Sequence, residues 1–251
     1  MFYEKYSKNY LNEVIFQIRF SPLLQLFTDE KNAVADFQNK VIDDFPEVKF
    51  EEIRRSNVKL ASIGIHNEYN NEFLTWVFTN KSGKYIRLNG EELILGYSGE
   101  VYSSFDDFLK DVKLVTEALK QYKLPQIKSI GLRYINQIRV DDKNKWSQYI
   151  NPNLHLINGA FNEDELIQSI NKTNLKIQDY DLIFQFGQFN PEYPNISSKK
   201  DFVLDYDCIL VDDEPFENIF INLNKMHEII YNRFESDIMD GLREKMRWIY
   251  E

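Results

Sequence analysis

Cysteine is nearly missing: Cys208 stands alone in 251 residues, which excludes an intramolecular disulfide and a cysteine-rich metal cage. Glycine is sparse as well. The nine glycines are scattered, and none forms a phosphate-cradling loop or a nucleophile elbow. His66, His155 and His227 are the only histidines, and they form no His-x-x-x-His or Glu-x-x-His pattern, so no helical metal motif is written here. No window approaches the ~18 apolar residues of a membrane span. The first residues, MFYEKYSKNYLNEV, lack the apolar stretch of a signal peptide, so the expected location is the cytoplasm, away from membranes. Basic charge is outweighed, 30 residues against 40 acidic for a net charge of −10, which disfavours general nucleic-acid binding because phosphate contacts need a basic surface.

Aromatic residues, by contrast, are plentiful, with 19 Phe and 15 Tyr, enough for a sizeable core. Val14, Phe16, Ile18 and Phe20 alternate with Glu13, Gln17 and Arg19, the period-2 signature of a half-buried strand. Thr28-Asp29-Glu30 reads as a capped helix start, followed by Val34, Phe37, Val41 and Phe45 at helical spacing up to Pro46. Strand-like runs follow at 48–54, 58–66, 73–79, 85–88 and 92–97, with a turn expected at Glu68-Tyr69-Asn70-Asn71. Asn89-Gly90 predicts a type I′ hairpin, whose two central residues need positive φ. Phe108, Val112, Val115 and Leu119 mark a long amphipathic helix. Beyond it lie a strand at 131–140, short helices near 146–150 and 162–171, a long hairpin made by 181–189 and 201–210, and a helix from about Phe216. Gly241 weighs against that last helix being unbroken.

The second half echoes the first. Ile15, Gln17, Ile18 and Arg19 recur as Ile135, Gln137, Ile138 and Arg139 at one offset of 120. At an offset of 111, Phe108, Val112 and Leu119 fall on Ile219, Leu223 and Ile230, and Leu93 and Leu95 fall on Leu204 and Tyr206. The expectation is an α+β protein of two similar units, residues 1–124 and 125–251, each running strand, helix, antiparallel strands, long helix. In order of elements only, they resemble helix-grip or TATA-binding-protein-like arrangements, and the expectation is that they pack as one compact protein.

Arg133, Gln137 and Arg139 share one strand face, as do Gln17 and Arg19, so Arg19, Arg133 and Arg139 form a candidate surface for carboxylate or phosphate groups. Ordinary ion pairing on a solvated sheet face is the simpler account. Asn136 falls in the apolar row, where an amide must find partners and serves either as a tie or as a recognition group. Asp205 and Asp207 flank Tyr206 on one strand face and could hold Mg²⁺ or Mn²⁺ with a third ligand, though spacing marks none. His227 lies on the stripe of Leu223, Met226, Ile230 and Phe234, facing inward, where a structural role is the usual one and a recognition or catalytic role the alternative, which makes it a candidate ligand- or partner-binding residue. Cys208, inside an apolar strand, is a poor place to stabilise a thiolate.

Taken together, GLRYINQI, WSQYINP, FVLDYD and LNKMHEIIYNRFESDI make the chain resemble a sporadically distributed family of uncharacterised bacterial proteins of similar length. The matching positions include Arg19, Gly131, Arg133, Tyr134, Asn136, Trp146, Asp205, Asp207, His227, Phe234 and Ile238, whereas Met239 replaces a small hydroxyl residue. The resemblance brings no activity with it; the family's patchy distribution is similar to that of genes in defence and toxin–antitoxin loci. The leading expectation is a non-enzymatic binding or regulatory protein without a cofactor, an immunity, antitoxin or accessory component holding another protein encoded nearby or a further copy of itself. The alternatives are a metal-dependent enzyme acting on a phosphate-bearing substrate, and a small-ligand sensor with its pocket between sheet and terminal helix.

Overall fold

The alternation of Val14, Phe16, Ile18 and Phe20 with polar neighbours produces β1 (Leu11–Phe20), whose inward residues have no exposed surface. The computed structural model describes residues 6–27, 31–61, 64–123, 126–139, 146–156, 160–161, 165–195, 201–211 and 215–247, the side chains of 52–73 excepted. After β1 come α1 (Ala35–Val41), β2 (Glu47–Ala61), β3 (Gly64–Thr79), β4 (Lys84–Leu88), β5 (Glu92–Ser98) and α2 (Phe105–Leu119). The second half supplies β6 (Ile127–Ile138), α3 (Trp146–Tyr149), β7 (Ser169–Ile177), β8 (Tyr180–Phe189), β9 (Asp201–Val211), α4 (Ile219–Asp237) and α5 (Asp240–Met246).

The nine strands form one antiparallel sheet in the order β2-β3-β4-β5-β1-β6-β9-β8-β7. Its centre is the β1–β6 seam, where Phe16 faces Leu132 and Ile18 faces Ile130, all four without exposed surface. The helices send their apolar stripes to this face. Phe108, Val112, Val115 and Leu119 of α2, and Ile219, Leu223, Met226 and Ile230 of α4, join the sheet's inward residues in one cluster. The alternate face carries half-buried Ile15, Gln17, Ile94, Arg133 and Ile135. No described helix is long and apolar enough to cross a membrane.

Several local expectations are corrected. The expected turn at Glu68–Asn71 is ladder instead: Glu68 pairs Asn57, Tyr69 pairs Ser56 and Glu72 pairs Arg54, because cross-strand pairing overrides the local turn preference of polar residues. The stretch expected to be helical up to Asn171 enters β7 at Ser169, an edge strand with Lys172, Thr173 and Asn174 exposed. The hairpin at Asn89-Gly90 forms, but neither residue has positive φ. Asn89 Oδ1 instead accepts from the Glu91 and Glu92 amides at 2.9 and 3.0 Å, an Asx turn that replaces the I′ geometry. A Cβ on Gly90 would run into the ring of Phe27, itself 44% exposed, which would have to shift. The proposed capped start at Thr28–Glu30, the beginning of the 162–171 helix at 162–164, and Trp248 and Tyr250 of the tail lie outside the described residues.

The terminal helix does end before the tail, at Asp237. Ile238 leaves the helix in an extended conformation and bridges Ile150, and Met239 N donates to Tyr149 O at 2.9 Å. The following α5 approaches α3 so closely that a Cβ on Gly241 would sit 2.5 Å from Gln148 O. Burial at the seam predicts that Leu132→Ala costs about 3 kcal/mol of unfolding free energy in urea denaturation, transfer and cavity contributions together; a loss below about 1 kcal/mol would contradict this placement of the core.

Candidate functional site

The pleat divides the anticipated residues between the two faces of the sheet. Arg19, Arg133 and Arg139 share the face away from the helices, as do Asp205 and Asp207. In register, Arg19 lies opposite Ser129, which is ten residues and so about 33 Å along β6 from Arg139. The three guanidinium groups therefore do not make one patch. Arg133 forks Asp205 through Nε and Nη2, at 2.8 and 2.6 Å, and Gln185 donates to the same carboxylate at 3.1 Å. Arg139 and Gln137 both donate to Asp201 Oδ2, at 3.0 and 2.7 Å.

Asp205 is thus committed to a guanidinium on the next strand. Asp207 is pushed up from the usual carboxylate range, first by burial, with Arg133 acting the other way. Among the described residues no three His, Cys, Asp or Glu side chains are grouped to hold a metal ion. Cys208 faces the core, where burial pushes its thiol up to about 12.

Asn136 and His227 meet on the helix side, in a half-open cavity of about 130 Å³ between β6 and α4. Along α4, His227, Ile230, Tyr231 and Phe234 line it at helical spacing. The floor is Tyr134 and Asn136 of β6. Tyr6, Asn9 and Tyr10, from the segment before β1, and Tyr102, from the turn before α2, also line it. That N-terminal segment is strapped across α5, Lys8 N donating to Met246 O at 3.1 Å, and the Tyr6 hydroxyl donates to Glu235 at 2.7 Å.

A hydrogen-bonded chain runs along the inner wall. The Tyr102 and Tyr134 hydroxyls are 3.0 Å apart, and Tyr134 Oη is 3.1 Å from His227 Nδ1. Tyr134 has one proton, so it donates to at most one of these two neighbours. Phe105 stacks on His227, centroids 3.9 Å apart and planes within 8°. Asn136, which lines the cavity, donates from Nδ2 to Leu204 O at 3.3 Å, which leaves Oδ1 as its acceptor.

No match is found. Neither protein-family models, nor curated proteins, nor solved structures are similar to this chain, so the site rests on its geometry. Asn136 was visible in the sequence as the polar residue of an apolar row, and His227 as the inward histidine. Tyr6, Tyr10 and Tyr102 carried no such signal, because they reach the cavity from segments flanking β1 and α2 whose paths no periodicity specifies.

Burial pushes the His227 imidazole down from its ordinary 6.5 to about 4, so it is neutral at physiological pH. The unfolded chain takes up this proton below pH 6.5 and the folded chain only near 4; stability contributed by the neutral ring is complete above 6.5 and lost as pH falls through that window. Asp207 and Asp237, both raised by burial, act with the opposite sign and are common to wild type and variant. Denaturation at pH 7 and 4.5 should therefore show wild type losing about 2 kcal/mol more on acidification than His227→Gln; parallel pH profiles would contradict a buried neutral His227.

Proposed function

We propose that the protein is a non-enzymatic binding protein that takes a small molecule between its sheet and its terminal helix. The observation that carries this reading is the cavity itself: it lies between β6 and α4, tyrosines make up much of its wall, and Tyr134 and Asn136 of β6 bring polar side chains to its lining. Cavities of this kind, mostly apolar with a few convergent polar groups, are the default form of ligand sites. The chemistry of hydrolysis or group transfer finds little purchase there. Its histidine is a weak base, and Asp205 and Asp207 belong to the opposite face.

A second reading, a protein that holds a partner as an immunity or accessory component, is supported by the sheet face that no described helix covers. We further propose that the halves are two copies of one unit. What supports this is the strand order, β1-β5-β4-β3 outward in one direction and β6-β9-β8-β7 in the other. Val14 pairs Tyr134, at the offset of the sequence echo (134 − 14 = 120), and their outer neighbours are Tyr97 and Tyr206. Each of these tyrosines donates to an aspartate of its own half's helix, Asp111 and Asp237, although the two aspartates stand at different positions along their helices (237 − 111 = 126). This register relates Leu95 to Leu204 through Tyr97 and Tyr206, an offset of 109 (206 − 97), two residues from the 111 that relates the helices.

Ligand-observed NMR against a mixture of uncharged fragments tests the ligand reading. Wild type is expected to give hits that weaken at least tenfold in Ile230→Trp, whose indole fills the cavity. Absence of hits, or hits indifferent to that substitution, would contradict it.

A further inference from the structure

We propose that the cavity selects an uncharged, single-ring aromatic molecule carrying a hydrogen-bond donor, of the phenol or aryl-amide kind. This inference rests on the ligand-binding reading above and gives it chemical content.

The first argument is charge. The thirteen residues lining the cavity include no Asp, Glu, Lys or Arg, in a chain of which 28% is charged. Glu235 beside the mouth is already occupied by the Tyr6 hydroxyl at 2.7 Å and by Arg243 Nε at 3.2 Å. An ion entering would lose hydration with no counter-ion to replace it, a cost of several kcal/mol.

The second argument is shape. A cavity of about 130 Å³ is close to the dry apolar cavity of about 150 Å³ that accommodates benzene. The volume matches one substituted ring. Five tyrosines and Phe234 line it, and aromatic pairs in edge-to-face or offset arrangement add about 0.5–1.5 kcal/mol beyond area burial.

The third argument is the polar floor. With Nδ2 donating to Leu204 O, Asn136 presents an acceptor. A ring without a donor would strip water from Asn136 Oδ1 and leave it unpaired, whereas a phenolic O–H or amide N–H replaces that water. Unpaired buried acceptors are penalised more than made hydrogen bonds are rewarded, so discrimination comes from rejecting the donor-less analogue.

Isothermal titration of the full chain at pH 7 with phenol, benzamide, toluene, benzoate and benzylamine tests the proposal. Phenol and benzamide are expected to bind at least tenfold tighter than benzoate and benzylamine, and about fivefold tighter than toluene. Asn136→Ala should bring phenol and toluene within twofold of each other while toluene affinity changes little. Should that variant not fold, the wild-type ranking alone decides. Benzoate or benzylamine binding as tightly as phenol, in a manner abolished by Ile230→Trp, would overturn the ligand class and leave the binding site standing. Failure of all five to bind, or binding unchanged in Ile230→Trp, would overturn both.

Discussion

Everything in this fold hangs on the antiparallel seam between β1 and β6. Two strands from opposite halves of the chain pair along Val14 to Arg19 and Ser129 to Tyr134, and each then carries the rest of its half outward on its free edge. Because a strand alternates faces with period 2, this register also fixes every side chain's destination. Sliding β6 by one residue against β1 would leave Phe16 and Ile18 inside but turn Ile130 and Leu132 to solvent and bury Arg133, an exchange of apolar burial for a buried charge.

The same alternation separates two chemistries a single residue apart. Arg133 points to the open face and closes on Asp205; Tyr134 points to the helix face and meets His227. On the open face, described charged groups such as Arg133, Arg139, Asp201 and Asp205 satisfy one another. On the helix face, the demand for uncharged groups near α4 is met by tyrosines, which fill space with a ring and finish it with a hydroxyl. A cavity bounded by such residues resists collapse, since its wall hydroxyls are tied to neighbours: Tyr102 to Tyr134 and Tyr6 to Glu235.

Much of this architecture was legible in the chain because it is periodic. The stripes Phe108-Val112-Val115-Leu119 and Leu223-Met226-Ile230 gave α2 and α4, and the alternation in VIFQIRF and GLRYINQI gave both strands of the seam. What escaped was governed by partners and not by period. β7 is a polar edge strand that needs one neighbour and little burial, so Asn171-Lys172-Thr173-Asn174 carried no apolar signal. Residues 68–71 looked like a turn because Asn and Glu favour turns, yet the ladder with 54–57 holds them extended. For the site, period could assign Asn136 and His227 to the buried side but could not say that a cavity lay between them. Only the path of the N-terminal strap over α5 and of the turn at Tyr102 completes its lining.

The measurement that bears most directly on this account is a crystal structure of the full chain grown with phenol. The account predicts a ring between Tyr134 and Phe234, its hydroxyl within hydrogen-bond distance of Asn136 Oδ1, with the open sheet face unchanged. A ring lodged elsewhere, or a cavity closed by movement of the tyrosines onto α4, would contradict it.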